Sequence, residues 1–376
     1  MTSPGRTVFL YPGEARRERI SGAKAGTRPK EFFYGYLELE SQGASVTMAD
    51  THTDPQRTAD SWRMQLEILR NSICRVGWSR ARVSAIAGAL SDGDTALSFN
   101  DGFSMSLGLY PRDALPGVYR IGGFMGLSDL VPRARTPLQS YVRRAISAAL
   151  KNLDHVFFFG EPDRKQATSV YGLDPAQTSL FDFGVDTAYW TPDRDAATED
   201  FVLSVGSDPS RDYASLVSAP SSGQIRVVTR LPVSVPKDRH DIKVSAGSFY
   251  ANGISDDALR HLYRTALAVV VPVHDVWQPS GQSVTFQAMA CGRAVIATRN
   301  KGFCRPDLLV DGENCLLVPC GNPEALGNAI RQLRANPELG DRLGRAGYET
   351  IRNHFSLEHM NKSAARLSAM RTTAGA

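Results

Sequence analysis

Residues 278–298 read QPSGQSVTFQAMACGRAVIAT. A turn rich in Pro, Gly and Ser is followed by a helical pattern of small residues over 284–291 and by a β-branched strand over 294–298. The first amides of a helix have no partner within it, and the helix dipole behind them is positive, so such a turn favours binding of a phosphate. The backbone groups expected to bind it belong to Ser280, Gly281, Gln282, Ser283 and Val284.

Gln287 is the one polar side chain in the middle of this helix pattern, VTFQAMA. It lies about one turn in from the helix start, where its amide could reach a sugar hydroxyl. The alternative is that neighbouring backbone groups satisfy the amide inside a packed helix. Spacing alone leaves both interpretations open.

Length and composition limit the classes of protein to which this stretch can belong. With 376 residues, the chain is the size of two domains of roughly 150 to 200 residues each. Hydrophobic residues make up 42% and charged residues 22%, as in soluble globular proteins, and no apolar run could span a bilayer. The apolar run near the N-terminus, VFLY, is too short for a secretory signal, and the five cysteines lack paired spacing, so we expect a cytoplasmic protein with reduced thiols.

Apolar runs alternate with helical patterns along the chain, which predicts an α/β fold with parallel sheets. The predicted strands cover 8–11, 45–48, 95–99, 117–121, 155–159, 201–205, 225–229, 268–273, 294–298 and 315–318. The predicted helices cover 29–41, 140–152, 255–265 and 323–336. A polar stretch after Trp190 marks a linker at 193–199, between a first domain at 1–192 and a second at 200–354. Both domains should be Rossmann-like and face each other across a cleft, and a C-terminal helix at about 355–376 could pack back on the first.

Another loop that could carry chemistry is SVGSDPSRDY, residues 204–213, which follows a strand and opens a helix. Gly206 permits a tight turn, and Arg211 offers a forked cation to a diphosphate. An exposed arginine at a helix start is more often simply solvated. In a third loop, Lys301 and Arg305 follow a strand, and there a structural role is favoured.

Charge is mild overall, at +4, but six cations lie within residues 16–30. A phosphate, an anionic membrane surface and a solvated loop are all compatible with this cluster. Asp92-Gly93-Asp94 precedes a strand as a turn would, so no metal site is predicted. No phosphate-loop, nucleophile-elbow or zinc-helix motif occurs.

Taken together and in order, four segments of the second half carry a family resemblance. They are FVLSVGSDPSRDYASLVSA, SDDALRHLYRTALAVVVPV, SGQSVTFQAMACGRAVIAT and LLVDGENCLLVPCGNPEALGNAI. Over residues 201–355 the chain resembles the retaining glycosyltransferases of family 4, which have the two-domain GT-B architecture. FGVDTAYWTP also resembles the segment that closes the first domain in that family, whereas residues 1–180 match it only in outline.

The resemblance implies roles for individual residues. Arg211 would supply one cation of a basic pair that binds the donor diphosphate, with Ser207 or Asp208 at the position of the other and Gly206 in the same loop. Of the two glutamates that the family spaces eight residues apart, Gln287 would replace the one near the ribose. Pro279, with Gln278 beside it, would replace the one near the transferred sugar.

Two further parts of the site follow from the same resemblance. A loop after the first strand, YPGEARRERISGAKAG, would close on the diphosphate through Gly22 and Lys24, with Gly26 and Arg28 as neighbouring candidates. A histidine of the first domain is absent from GVYRIGGFMGL, which leaves Asp101, with Asn100, as the candidate for holding the acceptor hydroxyl. Arg211, Asp101 and Gln278 are thus the predicted reaction residues.

The implied activity is transfer of a sugar from a nucleoside diphosphate sugar, with UDP- or GDP-sugars favoured, to a saccharide, glycolipid or natural-product hydroxyl. Retention would follow from front-face attack, with no cofactor, no metal and no nucleic-acid partner, and with peripheral membrane contact as an option. Because both family glutamates are replaced, a catalytically silent nucleotide-sugar-binding subunit is one alternative. A nucleotide-sugar epimerase is the other.

Overall fold

The computed structural model describes residues 5–13, 15–50, 66–67, 69–72, 77–193, 195–220, 223–247, 253–303 and 305–374. They form two compact units, and each unit combines segments that are separated in the sequence. Unit 1 comprises the described residues within 1–21, 32–182 and 360–376, and unit 2 those within 22–31 and 183–359. Each unit is an α/β body built on one parallel six-stranded sheet.

The sheet of unit 1 has the strand order β2-β1-β3-β4-β5-β6, and all its neighbours are parallel. Its strands are β1 (Thr7–Tyr11), β2 (Val46–Asp50), β3 (Thr95–Ser98), β4 (Tyr119–Phe124), β5 (His155–Phe158) and β6 (Thr178–Leu180). The early helices of the chain are α1 (Ala15–Lys24), α2 (Tyr36–Ser41), α3 (Arg80–Ser84), α4 (Asp101–Leu109), α5 (Leu130–Arg133), α6 (Gln139–Lys151) and α7 (Glu161–Tyr171). All five residues of TVFLY in β1 are buried, as expected for a strand with neighbours on both sides and helices on its faces.

The sheet of unit 2 has the order β12-β11-β10-β7-β8-β9, again with parallel neighbours. Its strands are β7 (Phe201–Val205), β8 (Gln224–Val228), β9 (Ile242–Ser245), β10 (Ala268–Val271), β11 (Val295–Thr298) and β12 (Leu316–Val318). The helices are α8 (Tyr213–Ser218), α9 (Asp256–Thr265), α10 (Gln282–Ala290), α11 (Pro323–Ala335) and α12 (Pro337–His354). Strand β10 lies between β7 and β11, so the loops that follow these three strands emerge side by side at the carboxyl edge.

The last helix, α13 (Leu357–Ala374), returns to unit 1 from Met360 onward. Ser363 donates a hydrogen bond to the carboxylate of Asp182 at 3.1 Å, and the hydroxyl groups of Thr7 and Ser368 lie 2.6 Å apart. Arg371 donates to the carbonyl oxygen of Asp94 at 3.0 Å. The helix thus contacts both the first strand of the unit and the turn before its third strand.

All ten predicted strands occur, so the predicted parallel α/β class is confirmed. Strands β6 and β9 were not predicted, because β6 has three residues and β9 is an edge strand with three of its four residues exposed. The helix predicted over 29–41 is wrong in its first half. The left-handed conformations of Tyr34 (φ 51°) and Gly35 (φ 88°) are incompatible with a continuous helix there, and only Tyr36–Ser41 is α-helical.

The polar stretch after Trp190 predicts a domain boundary at 192/193, whereas residues 183–192 lie in unit 2. Trp190 is 1% exposed and packs edge-on against Tyr263 with ring centroids 5.7 Å apart. Burying a side chain of this size contributes several kcal/mol, which outweighs the polar character of the residues after it. Among the described residues, no helix is both long and apolar enough to cross a membrane.

Candidate functional site

Helix α10 begins at a glycine that no other residue could easily replace. Gly281 is its N-cap with φ 83°, a left-handed conformation. A Cβ atom there would lie 2.4 Å from Cγ1 of Val271 and 3.2 Å from Nη1 of Arg211. The glycine therefore brings the start of the helix against the guanidinium group of Arg211.

Arg211 is buried, with 6% of its surface exposed. Among the described residues, its Nε and Nη1 atoms have no hydrogen-bond partner although neither is accessible to solvent. A Cβ atom on Gly206 would lie 2.5 Å from Nε, so glycines flank the guanidinium on two sides. Because a buried, unpaired guanidinium is costly and stays charged, this arrangement favours an anion as the missing partner.

The backbone around Arg211 is fixed by the neighbouring strand. Arg211 forms an antiparallel bridge with Val273, and the Asp212 amide donates to the carbonyl oxygen of Pro272 at 3.1 Å. On the other side, the His274 amide donates to the carbonyl oxygen of Ser210 at 2.9 Å. The loop after β7 is thereby held against the end of β10, so Arg211 is positioned before any ligand arrives.

The first turn of α10 supplies the second component of the site. Regular helical bonding starts with the Thr285 amide, which donates to the carbonyl oxygen of Gly281 at 2.9 Å. The amides of Ser283 and Val284 precede it and have no acceptor within the helix. Ser280 contributes a hydroxyl that is buried without a hydrogen-bond partner among the described residues. We call Arg211, Ser280, Ser283 and Val284 the anion cradle, since positive charge and unused donors meet there.

A small pocket lies beside this turn. Ser280, Gln282 and Thr285 line it on the helix side, and apolar side chains complete it. The apolar residues include Val271, Val273, Phe303 and Leu309. A pocket with a few polar groups on an apolar wall is typical of small-molecule sites.

The side chain of Gln278 holds two loops together. Its Nε2 donates to Oδ2 of Asp208 at 2.6 Å, and Oδ1 of the same aspartate accepts the Ser210 amide at 2.8 Å. Asn300 donates to the Gln278 carbonyl oxygen at 3.0 Å. In this structure Gln278 therefore braces the loop that carries Arg211, and its role beside a transferred sugar stays a prediction.

Ser207, the other candidate in that loop, also forms hydrogen bonds within unit 2. Its hydroxyl donates to the Gly247 carbonyl oxygen at 3.2 Å and accepts the Arg230 amide at 2.9 Å. These bonds join the loops after β7, β8 and β9. A contact of Ser207 with a donor stays a prediction.

Gln287 is 4% exposed, and both ends of its amide have partners. Nε2 donates to Oε1 of Glu31 at 2.8 Å, while Oε1 accepts from the Tyr263 hydroxyl at 3.3 Å. The partners are side chains from distant segments, whereas the spacing in the sequence predicts either a sugar hydroxyl or neighbouring backbone groups. The predicted ribose contact stays a prediction.

Glu31 is the main residue of unit 2 that sequence reasoning missed. No part of it is exposed, its Oε1 also accepts from Nε1 of Trp190 at 2.7 Å, and its Oε2 is buried without a partner among the described residues. Burial raises the pKa of Glu31 to about 7, against the lowering effect of the two hydrogen bonds. Within the sequence Glu31 is one acid at the end of a basic stretch, which gives no sign of this role.

The segment predicted as a glycine-bearing loop after β1 is mainly helical, so that prediction is wrong. Gly22 and Lys24 lie in the last turn of α1, and the Gly22 carbonyl oxygen accepts the Thr27 amide at 2.9 Å in the turn that ends it. Two charges of the basic cluster at 16–30 have partners within unit 1. Arg16 is buried over the Tyr11 ring at 4.3 Å, and Arg17 pairs with Asp50. Contact of Gly22 or Lys24 with a diphosphate stays a prediction.

In unit 1, carboxyl groups hold the loop after β4. Oδ1 of Asp101 accepts the amides of Met125 at 2.9 Å and Gly126 at 3.3 Å, and Asp163 accepts those of Leu127 and Ser128, both at 3.0 Å. Burial raises the pKa of Asp101, and it raises that of Asp163 to about 7. The role of Asp101 toward an acceptor stays a prediction.

Its neighbour Asn100 is the N-cap of helix α4. Oδ1 of Asn100 accepts the Phe103 amide at 3.2 Å and so caps α4. Asp163, another residue that the sequence does not distinguish, lies in the first turn of α7, after the N-cap Gly160. Acidic residues are common at that position, so the sequence offers no signal that distinguishes Asp163.

Comparison with known proteins supports the interpretation of unit 2. Residues 228–336 match the family model described as glycosyl transferases group 1. The chain is 26% identical to the alpha-maltose-1-phosphate synthase of Mycobacterium tuberculosis (strain CDC 1551 / Oshkosh) over 51% of this chain and 57% of that protein. It is 33% identical to the lipopolysaccharide core biosynthesis glycosyltransferase LpsE of Rhizobium meliloti (strain 1021) over 34% of this chain and 36% of that one. The chain thus spans about half the length, or less, of these relatives.

Solved structures share the fold over nearly the whole chain. The sucrose-phosphate synthase from Thermosynechococcus elongatus superposes with a TM-score of 0.70 at 19% identity, covering 98% of this chain and 100% of that one. HepE from Anabaena, solved in complex with UDP and glucose, gives 0.60 at 13% identity, covering 96% and 98%. The predicted two-domain GT-B fold is therefore confirmed. Residues 228–336 are thus similar to the glycosyl transferases group 1, and the relatives that the chain matches include glycosyltransferases.

Proposed function

We propose that this protein is a retaining glycosyltransferase of family 4 that transfers a sugar from a nucleoside diphosphate sugar to a hydroxyl group. The observation that carries the proposal is the anion cradle, where the buried, unpaired nitrogens of Arg211 lie against the start of α10. A diphosphate supplies the negative oxygens that this cradle lacks. Among the donors, a UDP-sugar is favoured, because HepE was solved with UDP and glucose.

The reaction can be written with all its bonds. The bond from the anomeric carbon to the diphosphate oxygen breaks, and its electron pair stays on the diphosphate. The acceptor oxygen forms the new bond on the same face of the sugar, and its proton passes to the leaving diphosphate. Negative charge therefore grows on the leaving group, where Arg211 and the amides of Ser283 and Val284 stabilise it.

This chemistry requires neither a cofactor nor a protein base, and in the proposal the cradle itself provides the positive charge. The acceptor is a saccharide, a glycolipid or a small-molecule hydroxyl. We place the reaction in the cytoplasm, which the free thiols of Cys291 and Cys320 favour.

A specific observation also supports a catalytically silent nucleotide-sugar-binding subunit. Pro279 and Gln287 stand at the positions of the two family glutamates. Gln278, beside Pro279, is bonded to Asp208, and Gln287 is bonded to Glu31, both acids of the same unit. A silent subunit would retain the cradle and bind the donor, but it would neither transfer nor hydrolyse the sugar.

The test begins with thermal unfolding of the purified chain in the presence of UDP, GDP, ADP and dTDP and their sugars. A ligand at about 100 times its dissociation constant should add about 2.7 kcal/mol of stability. The donor that binds is then incubated with an acceptor panel, and the anomeric configuration of the product is read by NMR. A product with retained configuration supports the proposal, and inverted configuration contradicts its retaining part. Donor binding without transfer or hydrolysis supports the silent subunit, and absence of any nucleotide binding rejects both.

A further inference from the structure

Glu31 occupies an unusual place in the chain. It ends the segment 22–31, which belongs to unit 2 although the residues before and after it in sequence belong to unit 1. Within unit 2 its Oε1 accepts hydrogen bonds from Gln287 at 2.8 Å and from Trp190 at 2.7 Å. Three segments of unit 2 that are far apart in sequence therefore meet at one carboxyl oxygen.

Gln287 connects this group to the anion cradle through α10. The residue lies five positions after Gln282, which is about 7.5 Å along the helix axis. The side chain of Gln287 is held at both ends, since Tyr263 donates to its oxygen at 3.3 Å. Because a short helix moves as a rigid piece, the contact at Gln287 helps to set where the first turn of α10 lies.

The second carboxyl oxygen of Glu31 has no partner among the described residues, although it is buried. The titratable groups that face Glu31 are Asp186, Tyr263 and Cys291, of which Asp186 also disfavours its ionisation. As a neutral acid, Glu31 adds no charge behind the helix. As a carboxylate, it adds a buried negative charge next to Gln287, which lies about 7.5 Å along the axis of α10 from Gln282 in its first turn.

We propose that Glu31 is a positioning residue of the donor site and that it holds α10 in place through Gln287. When Glu31 carries a negative charge, the anion cradle binds a diphosphate more weakly. The proposal rests on the proposed function, because it takes the diphosphate as the ligand. Glu31 acts by holding Gln287 and by its own charge behind the helix, and in this proposal it does not touch the ligand.

Because the pKa of Glu31 is raised to about 7, the change in diphosphate binding should occur at a pH where binding is easily measured. Below it the neutral acid predominates and binding is strong, and above it the carboxylate predominates and binding weakens. At an effective dielectric constant of about 20 to 40, a charge on the order of 10 Å from a bound anion changes its affinity by on the order of tenfold.

The matched variant is Glu31→Gln, which keeps a side-chain oxygen for Trp190 and Gln287 but cannot ionise. The dissociation constant of UDP is measured by calorimetry from pH 5.5 to 8.5 for wild type and variant, with GDP and ADP in parallel. UDP itself titrates, so the readout is the ratio of the two constants at each pH. We expect the wild type to bind about as tightly as Glu31→Gln below pH 6 and on the order of tenfold more weakly above pH 8.

Asp163→Asn is the control, since Asp163 is another buried acid with a pKa raised to about 7, but in unit 1. This variant should follow the wild-type binding curve. A ratio for Glu31→Gln that stays constant with pH overturns the inference, as does an equal effect of Asp163→Asn. If no nucleoside diphosphate binds the wild type, the proposed function itself has failed.

Should Glu31→Gln fold poorly, Trp190→Phe gives a second route. It removes one hydrogen bond that favours the carboxylate, so the pH at which UDP binding weakens should be higher in this variant than in the wild type. An unchanged midpoint of the binding curve in that variant contradicts the inference.

Discussion

Nε2 of Gln278 lies 2.6 Å from Oδ2 of Asp208, and this hydrogen bond joins the loop that precedes α10 to the loop that carries Arg211. The two components of the anion cradle are therefore fixed relative to each other by one amide and one carboxylate. A carboxylate in place of Gln278 would face Asp208 with a like charge and lose the donor that joins the pair.

The first prediction concerns this bond. Gln278→Glu should replace attraction by repulsion and separate the loops, which costs about 1.5 to 3 kcal/mol in donor binding, or roughly ten- to hundredfold in KM for the donor. Steady-state kinetics at saturating acceptor measure it. Gln332→Glu, on the exposed side of α11, adds the same charge and serves as the control. Equal KM values for the two variants would show that the bond does not organise the site.

The second prediction separates the function of Arg211 from its contribution to stability. Arg211→Ala should weaken binding of the nucleoside diphosphate by roughly 1.5 to 3 kcal/mol, because a charged hydrogen-bond donor is lost. Without ligand the variant should unfold at the same temperature as the wild type or higher, because an unpaired buried charge has been removed. Calorimetry and thermal unfolding give the two quantities.

Arg331→Ala, which removes an exposed arginine from α11, is the control for that experiment and should change neither quantity. A marked loss of stability in Arg211→Ala, with nucleotide affinity unchanged, would mean that Arg211 is structural and that the cradle binds no diphosphate.

A third prediction concerns Gly281. Gly281→Ala should destabilise unit 2 by more than the roughly 1 kcal/mol that a left-handed conformation costs a residue with a Cβ, since the new atom would lie 2.4 Å from Val271. Gly26→Ala isolates the conformational part, because Gly26 has φ 73° and a Cβ atom added there would have no other atom within 4 Å. Denaturant unfolding should rank Gly281→Ala as clearly less stable than Gly26→Ala. Equal values would remove the steric part of the explanation.

The fourth prediction is a pH dependence of stability without ligand. The folded pKa values of Glu31 and Asp163 are raised to about 7 from ordinary values of 4.5 and 3.8, so between these limits the folded state binds more protons than the unfolded state. Stability should therefore fall as pH rises from about 4 to about 7, by up to about 1.4 kcal/mol per pH unit for each group, and then level off.

Each carboxyl group can be tested in its own unit. Glu31→Gln should flatten the pH dependence of unit 2, and Asp163→Asn should flatten that of unit 1, as followed by unfolding in denaturant at a series of pH values. Wild-type stability that rises between pH 5 and pH 7, with both variants parallel to it, would mean that neither acid is held neutral in the folded protein.

The fold was predictable from sequence wherever local pattern and tertiary structure agree. The stretch 278–298 holds a turn, a helix and a buried strand in direct succession, and each is specified by its own residues. Strand β9 could not be seen in the same way, because an edge strand with three exposed residues lacks the apolar run that marks the others. The helix predicted over 29–41 begins only after Gly35, where α13 packs closely, since a Cβ atom on Gly35 would lie 2.4 Å from Cβ of Ala364.

The site was predictable only in part, because some of its contacts follow from order along the chain and others join residues that are far apart in sequence. Arg211 and the first turn of α10 follow strands directly, so their position at a sheet edge can be inferred from order along the chain. The bond between Glu31 and Gln287 joins residues 256 positions apart, and no local pattern reports such a pairing. The sequence therefore offered a ligand role for Gln287 but gave no indication of the acid to which it donates.

The way the chain divides between the units also constrains how the protein is made. Unit 1 includes the helical residues 360–374, among which the hydroxyl of Ser368 lies 2.6 Å from that of Thr7 in β1. These residues follow all of unit 2 in the chain, so β1 is synthesised well before the helix that completes its contacts. During translation, unit 1 can therefore reach its native contacts at Thr7 only after the whole of unit 2 has been synthesised.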